Sequence, residues 1–199
     1  MISESVQFRQ VIQKFDAVHR QDPRKVTVNG KQITWSLLYH RRLTYWIRRL
    51  EPNASKALLI AARCQHLSRW NLPRDDYPKG RSGYKNWRKN AAKVHAQEAA
   101  KILREVGYKE TIIGRLQELL QKVHLKLDPE VQLFEDAICL VFLENELLGF
   151  SNKYDGQKLV LILQKTWRKM SPTGHRTALE IVTKLPKEIR VLVKKATEN

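Results

Sequence analysis

Cysteine is nearly missing from this chain: Cys64 and Cys139 are the only two in 199 residues, and no CxxC pair occurs. That excludes a disulfide framework and a cysteine-based zinc site. Long apolar runs are missing as well. The longest is the seven-residue stretch Ala137 to Leu143, well below the roughly 20 residues that a membrane span requires. The opening Met-Ile-Ser-Glu-Ser-Val-Gln has no basic start followed by an apolar stretch, so no secretory leader is expected and the chain reads as cytoplasmic and reduced. The phosphate loop ending in Gly-Lys-Ser/Thr, the GxGxxG fingerprint, HExxH and GxSxG are all lacking, which removes sequence support for several common enzyme classes.

Acidic residues are scarce. Asp and Glu total 20 against 37 Lys and Arg, for a net charge of +17, while 42% apolar residues suffice for a core and exclude disorder. The surplus is uneven. Residues 1–100 hold 20 basic and seven acidic side chains, and residues 101–199 hold 17 and 13. Nine Lys or Arg crowd Arg63 to Lys93 against Asp75 and Asp76, whereas Leu127 to Asn152 carries six carboxylates and no Lys or Arg. A field of this sign favours anionic partners: a nucleotide, a phosphate, nucleic acid or acidic protein, with no membrane partner implied. Charge alone also fits a soluble basic surface without a specific ligand.

Seven prolines fall mostly between stretches of helical periodicity, where they delimit helices without breaking them. The pattern predicts helices over 5–20, 34–50, 54–70, 82–106, 110–124, 129–152, 156–170, 173–183 and 186–196. Lys25 to Ile33 alternates weakly around Asn29-Gly30, which predicts a small hairpin or loop. Residues 71–80 (NLPRDDYPKG) form an irregular link. No repeat and no long linker divides the chain. The expectation is an all-α, single-domain helical bundle over residues 1–199.

Two constellations carry chemistry. Histidines recur near helix ends at 40, 66, 95 and 124, and Asp136 sits beside Glu135 ahead of the apolar AICLVFL. A carboxylate at the edge of such a helix needs a cation, a metal or strong hydrogen bonds. An arginine partner and a divalent metal with imidazole ligands are both consistent with that. In the second constellation, Arg69, Arg74, Arg81 and Arg88 alternate with Trp70, Tyr77, Tyr84 and Trp87. Guanidinium groups grip phosphate bidentately, and Trp70, Tyr84 and Trp87 offer stacking surfaces for a base. Arg–Trp stacking that merely stabilises a loop is the alternative. Lys165, Trp167, Arg168 and Lys169 read as a solvated helix face.

Two resemblances follow from longer strings. YHRRLTYWIRRLEPNASKALLIAARCQHL, then VHAQEAAKILREVGYKETIIGRLQELLQKVH, then LFEDAICLVFLE are similar, in order over about 36–148, to the HD-superfamily phosphohydrolases. That resemblance implies an HD-like core with extra C-terminal helices and a divalent metal held by His40, His66, His95 and Asp136. It implies His66, His95 and Asp136 as catalytic residues, with a further ligand position near Lys122 to His124. Gln65-His66 stands where the family has His-Asp, which leaves a one-metal or a metal-free site. FDAVHRQDP, QHLSRWNLPRDDYPKGRSGYKNWR, KLDPEVQLFEDAICLVFLE and KTWRKMSPTGH resemble the domain-of-unknown-function family 4202 across nearly the whole chain. Some of its members bear a glutamyl-tRNA synthetase label. Here Lys169-Met170-Ser171 is only a fragment of KMSKS, with Pro172 next, and the label gains no support.

Two functional classes result. One is a divergent HD-like, metal-dependent phosphohydrolase acting on a nucleotide or another phosphorylated small molecule, with Arg69, Arg74, Arg81 and Arg88 holding phosphate. The other is a non-catalytic basic module that binds nucleic acid or a nucleotide.

Overall fold

The computed structural model describes residues 4–198. These are helical apart from one hairpin, as the periodicity predicts, and they group into two compact units, the first ending at Val123 and the second starting at His124. The boundary falls inside the 36–148 stretch. No helix among the described residues is long and apolar enough to cross a membrane.

In the first unit α1 (Glu4–His19) leads into strands β1 (Lys25–Val28) and β2 (Lys31–Thr34), followed by α2 (Trp35–Leu50) and α3 (Lys56–Cys64). The hairpin turns on Asn29 and Gly30, at φ 48° and 74°, the left-handed pair that a two-residue antiparallel loop needs. Thr34 precedes α2 but does not cap it. Its hydroxyl donates to the His19 carbonyl at 2.8 Å, and Asp22 accepts from the Ser36 backbone N–H at 3.1 Å instead. Arg24 braces Asp22 through Nε at 2.9 Å and a terminal nitrogen at 2.7 Å. Helix α3 is capped by Ser55, whose hydroxyl accepts from Leu58 N–H at 3.1 Å.

The third predicted helix, 54–70, stops at Cys64. Ser68 takes φ 54° and breaks the helical path, and a short 3-10 turn follows at Arg69–Asn71. Helix α4 (Gly80–Glu105) then returns along the bundle and packs on α5 (Glu110–Gln121). Gly83 is required where it stands. A Cβ there would lie 1.8 Å from the Pro78 carbonyl oxygen, so the first turn of α4 is pressed against the end of the irregular link. Helix α5 ends at Gln121 although the pattern runs to His124. Lys122 sits at φ 57°, and the next amide, Val123 N–H, donates back to the Glu118 carbonyl at 3.0 Å. This is a glycine-type terminus made by a lysine.

The second unit holds α6 (Pro129–Asn145), α7 (Leu147–Ser151), α8 (Gly156–Trp167), α9 (Pro172–Val182) and α10 (Lys187–Thr197). The predicted helix 129–152 is thus broken at Glu146. Helix α6 packs on α9, and α8 packs on α10. At Gly174 on α9 a Cβ would meet the Asp136 carboxylate of α6 at 2.7 Å.

Gly83→Ala forces the α4 terminus off backbone that has no room to yield. It is expected to cost about 1–3 kcal/mol, a fall in Tm of several degrees on a thermal melt. Gly114→Ala meets nothing within 4 Å and serves as the control that keeps or raises Tm.

Candidate functional site

Four histidine side chains gather in the first unit, three of them predicted as site residues or spacing partners. His19 ends α1, His40 lies on the inner face of α2, His66 follows α3 and His95 is on the buried face of α4. His19, His40 and His95 are 0%, 0% and 1% exposed. The rings form a connected set: His19 stacks on His40 at 3.9 Å between centroids, His40 lies 6.4 Å from His66, and His66 lies 6.0 Å from His95.

Burial makes all four neutral. It pulls His19 and His95 down to about 4, and His40 and His66 well below the usual imidazole range. Nearby cations act in the same direction, since Arg69 disfavours protonation of both His66 and His95, and Lys122 adds to the effect on His66.

Hydrogen bonds then divide the set. His19 donates from Nε2 to the Arg63 carbonyl at 2.7 Å, and its Nδ1 accepts from the Ser36 hydroxyl at 2.8 Å. His40 donates from Nδ1 to the Ser36 carbonyl at 2.7 Å, and its Nε2 accepts the His66 backbone N–H at 3.3 Å. Both rings are therefore used up in holding α1, α2 and the turn after α3 together. His66 Nδ1 and both nitrogens of His95 are buried without a hydrogen-bond partner. The Leu67 carbonyl approaches His95 closely enough to favour a proton there, but not in bonding alignment.

Cations and rings complete the surroundings. Tyr39 stacks on His66 at 5.2 Å and donates its hydroxyl to Gln65 Oε1 at 2.8 Å. Trp35 stacks on Tyr39 at 5.2 Å, under the Arg24 guanidinium at 4.5 Å. Arg69 lies over Trp87 at 4.5 Å. Its own proton affinity is lowered by burial and then by Arg88. Among the described residues neither Arg69 nor Arg88 is paired with a carboxylate. The nearest acid on this face of α4, Glu98, is itself held above its usual range by burial and accepts from Ser68.

The remaining predicted residues are placed as follows. Arg74 is turned into its own loop, donating to the carbonyls of Tyr77 and Pro78 at 2.8 Å each. Arg81 is exposed two turns before Arg88 on α4, and Trp70 is half-buried beside Arg69. Trp87 is 9% exposed and donates its indole N–H to the Leu72 carbonyl at 2.9 Å, so it supports Arg69 rather than offering a bare face. Tyr84, 46% exposed, lies 5.8 Å from Trp87.

Asp136 belongs to the second unit, where it serves α9. Its carboxylate accepts from the Ser171 backbone N–H at 2.8 Å, the Ser171 hydroxyl at 2.5 Å and Gln132 Nε2 at 3.0 Å. Ser171 in turn caps α9 by accepting from Gly174 N–H at 3.1 Å. The carboxylate is satisfied by hydrogen bonds, with no arginine partner of the kind the sequence suggests. Nor do the residues fit a resident metal. The His40 lone pair is taken by a backbone amide, Asp136 is committed to Ser171, and no three His, Cys, Asp or Glu side chains among the described residues are grouped to hold one ion. Sequence reasoning missed Tyr39 and Arg24, and marked Lys122 only as the start of a ligand position. The four-residue step from Trp35 to Tyr39 was the available signal for the stack.

Unfolded imidazoles titrate near 6.5, whereas folded His19 and His95 stay neutral down to about 4. Between those values the unfolded chain binds more protons. Stability is therefore complete above pH 6.5 and falls as the pH drops, by up to about 1.4 kcal/mol per pH unit for each buried histidine. Melts from pH 8 to pH 4.5 should show a flat Tm, then a decline that steepens below 6.5. A Tm that holds level to pH 4.5 would contradict buried neutral rings.

No curated protein and no solved structure matches this sequence. The family described as Domain of unknown function (DUF4202) matches residues 9–193, from within α1 to within α10, so its pattern covers the histidine set, the arginine pair and the Asp136–Ser171 contact alike. On that match, the chain belongs to the domain-of-unknown-function family 4202.

Proposed function

We propose that the first unit is a binding module for the phosphate of a nucleotide, and that Arg69 and Arg88 are its anion-gripping residues. The observation that carries this is the Arg69 guanidinium, positioned on Trp87 beside Arg88 without a carboxylate and backed by the unpartnered nitrogens of His66 and His95. Two cations held close together repel each other, and an anion between them removes the repulsion while accepting bidentate hydrogen bonds. A phosphate also supplies the one thing the two imidazoles lack. Its oxygens accept the N–H that each neutral ring already carries, and its negative charge favours protonation of the second nitrogen. Exposed Tyr84, next to Trp87, is placed to stack a base.

The metal-dependent phosphohydrolase is the weaker reading, because two of its four donors, His40 and Asp136, are engaged in hydrogen bonds of their own.

Calorimetric titration in phosphate-free buffer tests the module, with ATP, AMP and inorganic phosphate as probes. ATP and AMP should bind, and Arg69→Ala should weaken them roughly 10- to 150-fold, the range of a charge-assisted hydrogen bond. Arg69→Lys should not restore affinity, because an ammonium lacks the planar fork. Phosphate release, together with stoichiometric metal that is lost in His66→Ala, would favour the hydrolase instead.

A further inference from the structure

Helix α2 has a second face that the phosphate site does not use. Leu43, Trp46 and Ile47 point into the core, while Arg41, Tyr45, Arg48 and Arg49 are exposed. With Thr44 and Arg63 they line an open groove of about 490 Å³. Arg41, Tyr45 and Arg48 step by four and three residues, so they form one stripe along the helix. Tyr45 is 53% exposed, with its ring edge-on to Trp46 at 5.5 Å between centroids.

The other charged groups around the groove have partners of their own. Arg63 at the base of the groove is paired with Asp16, and Glu51 beyond the helix end accepts from the Asn53 backbone N–H. Arg49 is braced by Tyr45, donating to its hydroxyl at 3.1 Å, and lies over Trp46 at 5.2 Å. Arg41 and Arg48 have no carboxylate partner among the described residues. An arginine, a solvent-facing ring and another arginine in line reproduce the phosphate–base–phosphate alternation of a flexible strand. The stripe has no exposed Leu, Ile or Phe to insert into lipid, which sets it apart from a membrane-binding helix.

From this we infer that α2 carries a track for single-stranded nucleic acid, with Arg41 and Arg48 on backbone phosphates and Tyr45 stacking a base. The track is separate from the nucleotide site: it rests on α2 alone and needs neither Arg69 nor His66.

Fluorescence anisotropy with a labelled oligo(U) of about 12 nucleotides, within the usual ~4–16 per site, tests it. Tyr45→Ala should weaken binding roughly 5- to 150-fold at an unchanged salt slope, and Tyr45→Phe should retain it. Arg41→Ala with Arg48→Ala should reduce the slope of log K against log salt by about 1.4, the share of two single-strand phosphates. Tyr45-dependent oligo(U) binding should persist under saturating AMP, whether or not AMP itself binds, so failure of the nucleotide site and failure of the track are told apart. Absence of oligo(U) binding, indifference to the Arg41 and Arg48 changes, or equal binding to duplex or to phosphatidylserine vesicles would each overturn the inference.

Discussion

An imidazole removed from water is tolerated while it is uncharged and its N–H and lone pair are both matched. The first unit is arranged around that constraint. His19 and His40 satisfy it completely, and in doing so they join three segments distant in sequence. His19 ties the end of α1 to the end of α3 through the Arg63 carbonyl and to α2 through Ser36. His40 holds the backbone of His66 by its only lone pair. Protonating His40 would set a donor against the His66 backbone donor, and protonating His19 would force the Ser36 hydroxyl to turn from donor to acceptor. The fold of this unit therefore depends on the two rings staying neutral, in opposite tautomers.

His66 and His95 sit in the same environment without matching partners, and cations surround them. Arg69 places positive charge near both rings and Lys122 near His66, while Arg88 adds its charge to that of Arg69. As a structural arrangement this is unfavourable twice, once for the unmatched polar atoms and once for the repulsion. An anion between them would remove both penalties. The cost of the empty arrangement is the reason to assign this cluster to binding, whereas Arg74 and Trp87, fully engaged within their own loop, read as support.

Much of this was legible in the residues. Periodicity and proline placement marked the helices, and Asn29-Gly30 marked the hairpin. The dense run from Arg63 to Lys93 pointed to the segment that holds Arg69 and Arg88, neither of which has a carboxylate partner among the described residues. Three features were not legible. The helix ends at Cys64 and Gln121 depend on Ser68 and Lys122 adopting left-handed backbone, which neither residue type advertises. Asp136 looked like a ligand because a carboxylate beside an apolar run demands a partner. The partner is Ser171, 35 residues on, and no local pattern announces a cap supplied from another helix. Histidine spacing, finally, does not say which ring nitrogens are already spent. That distinction separates His40 from His95, and it rests on tertiary contacts alone.

The central claim is that His66 and His95 are neutral and unmatched until an anion binds, while His19 and His40 are neutral and matched throughout. Long-range proton–nitrogen spectra of the histidine side chains, recorded at pH 7 with and without AMP, test it most directly. The account predicts fixed tautomer patterns for His19 and His40 in both spectra. For His66 and His95 it predicts nitrogen shifts that move toward the protonated or hydrogen-bonded range as AMP saturates. Unchanged His66 and His95 signals under saturating AMP, or shifts confined to His19 and His40, would contradict it.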